Sequence, residues 1–323
     1  MQRIKKLTLW LAETLKADVD MAKLSRACDL AKADLVTNMV YEFSDVQGIM
    51  GREYARKAGE PEEVALAIYE QYLPRYAGDE LPSQMGGALL GIGERLDTLS
   101  AIYKIGMEPT SSQDPYGLRR AARTINELIW GLSLDINLDE ALGMAAGLLE
   151  MPQERLEKLK AFIAQRQQVQ LREKGFRHEA VALAVQTAPS RPLQLYRLAE
   201  VLTKAAGEPW FAELVTAAVR VKNLLAKAEG EPGKVDPSKF VSDAERSLYE
   251  ELEKLTGKAH DAVEKCDWEA LAATMAELAP VIAQFFNDVL VMDKDPGVRA
   301  NRIALLSECQ KFFMQIGDFS ILK

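Results

Sequence analysis

Residues 31–51, AKADLVTNMVYEFSDVQGIMG, decide the fold of the first half of this chain. Apolar residues recur three and four positions apart around Asp34, which is the spacing of one face of an α-helix. These apolar residues are Leu30, Val36, Met39 and Val40. The pattern predicts a buried helix that holds the Asp34 carboxylate beside its apolar face, where a charged group needs hydrogen-bond partners.

A turn and a second helix are predicted to follow. Ser44 and Gln47 have the spacing of a capping box, so we expect a helix to begin near Asp45. Gly48 and Gly51 would then lie on one face of that helix. Because glycine weakens a helix, we interpret the pair as a notch that lets another backbone come close.

The composition indicates a folded chain with room for two domains. It has 323 residues, 48% of them hydrophobic, which is enough for two cores. Cys28, Cys266 and Cys309 are far apart and lack metal or redox spacing, so we expect free thiols in the reducing cytoplasm. No run of about eighteen apolar residues occurs, and we expect no membrane contact.

Helical periodicity with proline and glycine boundaries recurs along the whole chain, and no convincing strand alternation is present. We therefore predict an all-α protein. The glycine-rich segment 86–93 is expected to be a closely packed helix, since no strand precedes it as a phosphate-binding loop requires. Three boundaries are predicted: a helix start at Asp114 and Pro115, a loop over residues 229–240, and a break at Pro280 between helices 267–279 and 280–292.

Several sequence words stand in a fixed order in the first part of the chain. They are KADLVT (32–37), MV (39–40), EF (42–43), QGIMG (47–51), LP (81–82), LDTL (96–99), IG (105–106), PT (109–110), DP (114–115) and LRRAA (118–122). Their order and spacing resemble the middle of the bacterial glycyl-tRNA synthetase beta subunit. Many unrelated words in one order are far more specific than one short motif.

The second half carries words of its own. They are RV (220–221), NLL (223–225), FF (285–286), DV (288–289), VM (291–292), Asp295, Arg299, NR (301–302), LL (305–306) and DF (318–319). This set resembles the helical anticodon-binding domain of the same subunit, which is similar to that of arginyl-tRNA synthetases. Together the two resemblances cover almost all of the chain.

The resemblances imply two helical domains and a role. The domains would be a degenerate HD-type helical domain over residues 1–135, a helical connector over 136–175, and a DALR-like anticodon-binding helical bundle over 176–323. The implied partner is tRNA(Gly), recognised in part through its anticodon. Because adenylation in this family belongs to a separate alpha subunit or a fused alpha portion, the chain would bind tRNA without catalysis, and ATP and magnesium would serve only the complete synthetase.

Charge is unevenly distributed along the chain. The net charge is −8, with acids concentrated in residues 229–277 and bases in residues 155–177. A charged run is most often only a solvated face, and it is the resemblance that favours RNA contact here. On that basis we expect phosphate contacts from Arg119, Arg120, Arg166 and Arg172, and we expect neither DNA nor a membrane as a partner.

Anticodon bases are unstacked, so arginine and asparagine side chains can read their edges and flat groups can stack on them. We expect this role for Arg220, Asn223, Arg299, Asn301 and Arg302. The alternative is that Arg299 and Arg302 pair with Asp288, Asp295 or Asp318 inside the bundle. The phenylalanines at positions 285, 286, 312 and 313 are expected to be core residues.

Metal chemistry in HD-type domains needs several converging histidines and aspartates. This chain has only His178 and His260, and His260 with Asp261 is expected to be an exposed pair. We expect Asp34 and Asp97 to be buried acids bonded to helix amides or to the neighbouring Lys32 and Arg95. An active HD phosphohydrolase and a scaffold that binds only protein remain alternative functions.

The shortage of histidine leads to a prediction about metal. Divalent metal should not stabilise the chain, so EDTA should leave its melting temperature unchanged. A large drop in melting temperature with EDTA, reversed by adding a transition metal, would contradict it.

Overall fold

The computed structural model describes residues 1–110, 112–228 and 232–323, so Ser111 and the first part of the predicted loop, residues 229–231, lie outside the described residues. All regular structure in the described residues is helical, as predicted. The chain divides into two compact units, residues 1–170 with 190–193, and residues 171–189 with 194–323. Most of the predicted connector, residues 136–175, therefore packs as part of the first unit.

The first unit is built around one central helix, α6. Its helices are α1 (Gln2–Thr14), α2 (Met21–Leu30), α3 (Asn38–Glu42), α4 (Ile49–Lys57), α5 (Glu62–Glu70), α6 (Met85–Lys104), α7 (Leu118–Gly131), α8 (Leu138–Leu149) and most of α9 (Gln153–Glu173). Twelve of the 20 residues of α6 are buried, and α1, α5, α7 and α8 all pack against it. Burial on several sides explains why α6 is apolar around much of its circumference.

Glycines let the neighbours of α6 approach its backbone, as the sequence predicts. A Cβ atom on Gly87 would lie 2.5 Å from the Cβ of Glu70, and one on Gly93 would lie 2.5 Å from Oγ1 of Thr8. The Glu70 carboxylate accepts hydrogen bonds from the amides of Ser83 and Gln84, just before α6 begins. Alanine at either glycine would force α5 or α1 away from α6.

The prediction of a single buried helix around Asp34 is wrong. The chain forms a 3₁₀ turn over Ala33–Val36 and then α3, separated by Thr37 in an extended conformation. The Thr37 hydroxyl accepts a hydrogen bond from the Val40 amide and so caps α3. This break rotates the apolar residues that follow Asp34, leaving only Val40 of that set buried.

The prediction of a capping box at Ser44 is also wrong. Residues Ser44–Val46 form a 3₁₀ turn, and α4 begins only at Ile49, after Gly48 with φ of 76°. The Gly48 amide donates to Oδ2 of Asp34 at 2.6 Å. A distant carboxylate, rather than a local serine, therefore holds the start of α4.

The predicted glycine notch is present, but Gly48 lies just before α4 and the groups that come close are side chains, not a backbone. A Cβ atom on Gly48 would lie 2.5 Å from the Tyr72 ring, and one on Gly51 would lie 2.7 Å from Cγ2 of Ile68 on α5. The positive φ of Gly48 is a conformation that other residues rarely adopt. Both positions therefore need glycine, and the notch lets α4 pack closely on α5.

The second unit is a bundle of long helices. They are the last residues of α9, α10 (His178–Thr187), most of α11 (Pro192–Ala205), α12 (Pro209–Leu225), α13 (Asp243–Glu264), α14 (Trp268–Asp288) and α15 (Pro296–Phe313). α13 packs along α14, and α12 contacts both α14 and α15. Pro280 lies inside α14, so the predicted helix break there is wrong.

Among the described helices, α14 alone is long and apolar enough to cross a membrane, by length and composition only. Its buried residues include Leu271, Met275, Ile282 and Phe285, and it packs against α12 and α13. The core helix of a bundle meets the same criterion, so the absence of membrane contact stays a prediction.

A buried ion pair joins α13 to α15. Nε of Arg302 donates to Oε1 of Glu245 at 2.7 Å, and both side chains are almost completely buried. The other oxygen of Glu245 accepts from the amides of Val241 and Ser242, within a capping box that starts α13. Arg302 also donates through Nη1 to Oδ2 of Asp293 at 2.8 Å.

We predict that Arg302→Ala destabilises the chain by about 3–5 kcal/mol, because it leaves the Glu245 carboxylate buried without its cation. Chemical denaturation followed by circular dichroism measures the change. Arg246→Ala, which removes an exposed arginine of α13, is the matched control and should stay within about 0.5 kcal/mol of the parent. Equal stability of both variants would contradict a structural role for Arg302.

Candidate nucleic-acid interface

Two predicted anticodon-reading residues stand exposed on α12 beside an aromatic ring. Arg220 and Asn223 are three residues apart, so they share one helix face. Cζ of Arg220 lies 4.3 Å from the ring centroid of Phe286 on α14. Phe286 is half-buried and packs edge-on against the fully buried Phe285, with ring centroids 5.6 Å apart. The Arg220 guanidinium is thereby held in place by a fixed ring.

This arrangement can recognise an unpaired base. A guanidinium group held on a ring by a cation–π contact still offers donors along its edge and a flat surface for stacking. Asn223 has an amide that both donates and accepts, so it can pair with a base edge. Phe286 cannot be identified as a partner of Arg220 from the sequence, because only the packing of α12 on α14 brings the two residues together.

Arg299 occupies an intermediate position. It is half-buried near the start of α15, and Nη1 donates to the backbone oxygen of Asp293 at 2.9 Å. Among the described residues this carbonyl contact stands in place of the alternative, a pairing of Arg299 with Asp288, Asp295 or Asp318. Its role in RNA recognition stays a prediction.

The structure corrects the roles predicted for Asn301 and Arg302. Their exposed fractions are only 4% and 6%. The Asn301 amide accepts from the Asp236 backbone N–H at 2.7 Å and donates to the Asp236 carbonyl at 3.0 Å. Arg302 does pair with acids inside the bundle, but these are Glu245 and Asp293, not the three aspartates expected. Neither side chain presents a free edge to a base.

Three of the four phenylalanines expected in the core are there. Phe285, Phe312 and Phe313 are buried, and Phe313 also contacts the ring of Phe319 at a centroid distance of 5.9 Å. Phe286 is the half-exposed exception. It is the one aromatic ring of the set available to support a charged group at the surface.

The predicted phosphate-binding arginines fall in both units. Arg119 is half-buried and donates to the Thr110 carbonyl, while Arg120 next to it is exposed. Arg166 lies in the first unit, half-buried, with Nε enclosed and lacking a hydrogen-bond partner among the described residues. Arg172 is exposed and belongs to the second unit. Their phosphate contacts stay predictions, and the Nε of Arg166 is buried away from solvent.

The helix start beside Arg119 differs from the prediction. α7 begins at Leu118 after Gly117 in the left-handed conformation, so Pro115 lies outside the helix. The Asp114 carboxylate nevertheless accepts from the amides of Leu118 and Arg119, at 2.8 and 2.9 Å. These first amides of α7 are satisfied internally.

The acids of the first unit have structural partners. Asp34 is bonded to the Gly48 amide, as expected for a helix amide, although its Oδ1 is buried without a partner among the described residues. Asp97 binds Arg3 through two hydrogen bonds of 2.6 and 3.1 Å, and this contact raises the pKa of Arg3. The two cations expected as alternative partners are wrong, because Lys32 pairs with Glu94 and Arg95 donates to backbone carbonyls.

The histidines do not join these acids. His260 is exposed, as predicted, and its Nε2 lies 3.4 Å from Oε1 of Glu264. Within residues 1–110, 112–228 and 232–323, no group of three or more histidine, cysteine, aspartate or glutamate residues is placed to hold a metal ion.

Two protein families match the chain, one on each part. The family described as glycyl-tRNA synthetase beta subunit matches residues 1–186, more than half of the sequence. The DALR anticodon binding domain matches residues 214–318. This second match contains Arg220, Asn223 and Phe286.

Curated relatives match over the whole chain. The glycine–tRNA ligase beta subunit of Chromohalobacter salexigens is 36% identical over 327 residues, covering 100% of this chain and 47% of the relative. The corresponding subunits of Photorhabdus laumondii and Myxococcus xanthus are 37% and 36% identical, each covering 99% of this chain and 47% of the relative. The chain therefore spans about half the length of these relatives. It belongs to the glycyl-tRNA synthetase beta subunit family.

Proposed function

We propose that this chain is the tRNA-binding portion of a glycyl-tRNA synthetase beta subunit, and that it recognises tRNA(Gly), including its anticodon. The Arg220–Phe286 stack with Asn223 beside it, inside the region that matches the anticodon-binding domain, carries this proposal. ATP-dependent attachment of glycine would be catalysed by the alpha subunit or a fused alpha portion. In the complete synthetase, ATP and magnesium would act there, in the cytoplasm.

The chemistry of the site suits a single-stranded loop. RNA sequence is read mostly from unstacked bases, by stacking on flat groups and by hydrogen bonds to base edges. Arg220 supplies the flat cation and Asn223 the edge contact. Arg299 is a further donor within the same matched region.

Affinity would come largely from phosphate contacts elsewhere on the chain. Phosphate contacts position an RNA without reading its sequence, and they weaken as salt rises. The exposed Arg120 and Arg172 are suited to this role, together with Arg119. An overall charge of −8 does not oppose it, because the field near the bound phosphates depends on the local cations.

We predict that Arg220→Ala weakens binding of tRNA(Gly) by about 1–3 kcal/mol and weakens binding of an anticodon-swapped tRNA much less. Filter binding at two salt concentrations measures both, and affinity for either tRNA should fall as salt rises. Arg246→Ala, the exposed arginine on the acidic helix α13, should leave both affinities unchanged. An equal loss of affinity for the two tRNAs would mean that Arg220 contacts the RNA backbone. If the parent chain binds no tRNA, the protein-scaffold alternative is favoured.

We further predict that the chain alone shows no glycine-dependent ATP–pyrophosphate exchange, because the proposed function assigns adenylation to the alpha subunit or a fused alpha portion. The same assay with added alpha subunit is the positive control. Exchange by the chain alone would overturn the division of labour proposed here. Metal-dependent release of phosphate from nucleotides would instead support the phosphohydrolase alternative.

A further inference from the structure

A small cavity lies in the first unit between α2, α4 and α5, beside the turn that carries Asp34. Its volume is about 220 Å³. Because one water molecule takes up about 30 Å³ of liquid, this space corresponds to roughly seven waters. Sites for drug-sized ligands begin at about 300 Å³, so the cavity suits a smaller organic molecule. Its apolar lining includes Leu30, Tyr54, Ala55 and Ile68.

One side of the cavity carries a buried carboxylate with spare hydrogen-bonding capacity. Asp34 lines the cavity and is only 1% exposed, and its Oδ2 accepts from the Gly48 amide at 2.6 Å. Its Oδ1 is buried without a hydrogen-bond partner among the described residues. A buried carboxylate oxygen that lacks a donor costs free energy. A ligand that brings a donor to Oδ1 would recover this free energy on binding.

The charges around the cavity define the sign of the ligand. Arg26 and Glu60 also line it, but they pair with each other, with Nε of Arg26 lying 3.0 Å from Oε1 of Glu60. Lys32, the nearest cation to Asp34 in sequence, pairs with Glu94. Asp34 is therefore the one charge of the described lining without a counterion. The cavity attracts a cation and repels a phosphate or a carboxylate.

The cavity does not suit a metal ion. Divalent metals take about four to eight ligands, and Asp34 and Glu60 are the only acids in the described lining. An organic ammonium group is different, because it donates up to three hydrogen bonds and its hydrocarbon tail can cover apolar walls. The Tyr54 ring adds an aromatic group to these walls, which also favours a cation.

We propose that this cavity binds a small primary ammonium ion, with the ammonium group on Oδ1 of Asp34 and a short hydrocarbon tail against Leu30 and Ile68. Gly51 keeps the space beside the carboxylate open, since a Cβ atom there would lie 3.0 Å from Oδ2 of Asp34. This binding site lies in the first unit and is independent of RNA recognition by α12, so it goes beyond the proposed function.

The test measures binding of n-butylammonium to the 323-residue chain by isothermal titration calorimetry at neutral pH. n-Butanol and butyrate have a similar tail without the positive charge and should bind at least tenfold more weakly. Asp34→Asn keeps an oxygen for the Gly48 amide but removes the charge, so it should weaken n-butylammonium binding at least tenfold. The proposal is overturned if the parent does not bind n-butylammonium, if n-butanol binds equally well, or if Asp34→Asn binds as the parent does.

A variant that fills the cavity gives a second arm and leaves Asp34 unchanged. Ala58 lines the cavity and is exposed where α4 ends, so Ala58→Leu should occupy the space and weaken n-butylammonium binding at least tenfold with an unchanged melting temperature. Ala226→Leu is the matched control, because Ala226 is an exposed residue in the same position at the end of α12. It should bind as the parent does. Equal binding by the two leucine variants would place the ligand elsewhere and overturn the proposal.

Discussion

The buried carboxylate of Asp34 is the constraint on which the first unit depends. A carboxylate removed from water costs several kcal/mol unless it is hydrogen-bonded, and here the Gly48 amide satisfies one of its two oxygens, Oδ2, at 2.6 Å. This bond fixes where α4 begins, and α4 then packs against α5 through the notch at Gly51. The residues between Asp34 and Gly48 form short helical turns and α3, of which Val40 reaches the core while Val36 and Tyr41 face solvent.

The second unit uses polar residues in the same structural way. Glu245 starts α13 and holds Arg302 on α15, while Asn301 holds the backbone of Asp236. These contacts occupy the side chains of Asn301 and Arg302, which the sequence predicts to read bases. Arg220 differs because its contact among the described residues is a ring, not a carboxylate, and a cation–π contact leaves its donors available to RNA.

The fold could be predicted from sequence where the signal is local. Helical periodicity indicated the all-α class, and the glycines of α6 indicated close packing because a strand was lacking before them. Prediction failed where a distant partner decides the outcome. Ser44 has a capping pattern, yet Asp34 controls the start of α4, and Pro280 lies inside α14 because packing on α12 and α13 outweighs the hydrogen bond it removes. The candidate site shows the same limit, since neither the burial of Arg302 nor the Phe286 contact is visible in residue spacing.

The distribution of charge explains how a chain with a net negative charge can bind RNA. Counterion release depends on the cations that touch phosphate. At physiological salt, screening limits the electrostatic effect of the other charges to a range of roughly 8 Å. Acids farther than this from an RNA contact therefore cost it little affinity. They do discourage RNA from settling on the wrong surface, because like charges repel at short range. Under the proposed function, the cation of Arg220, held on the Phe286 ring, would draw tRNA to the exposed face of α12.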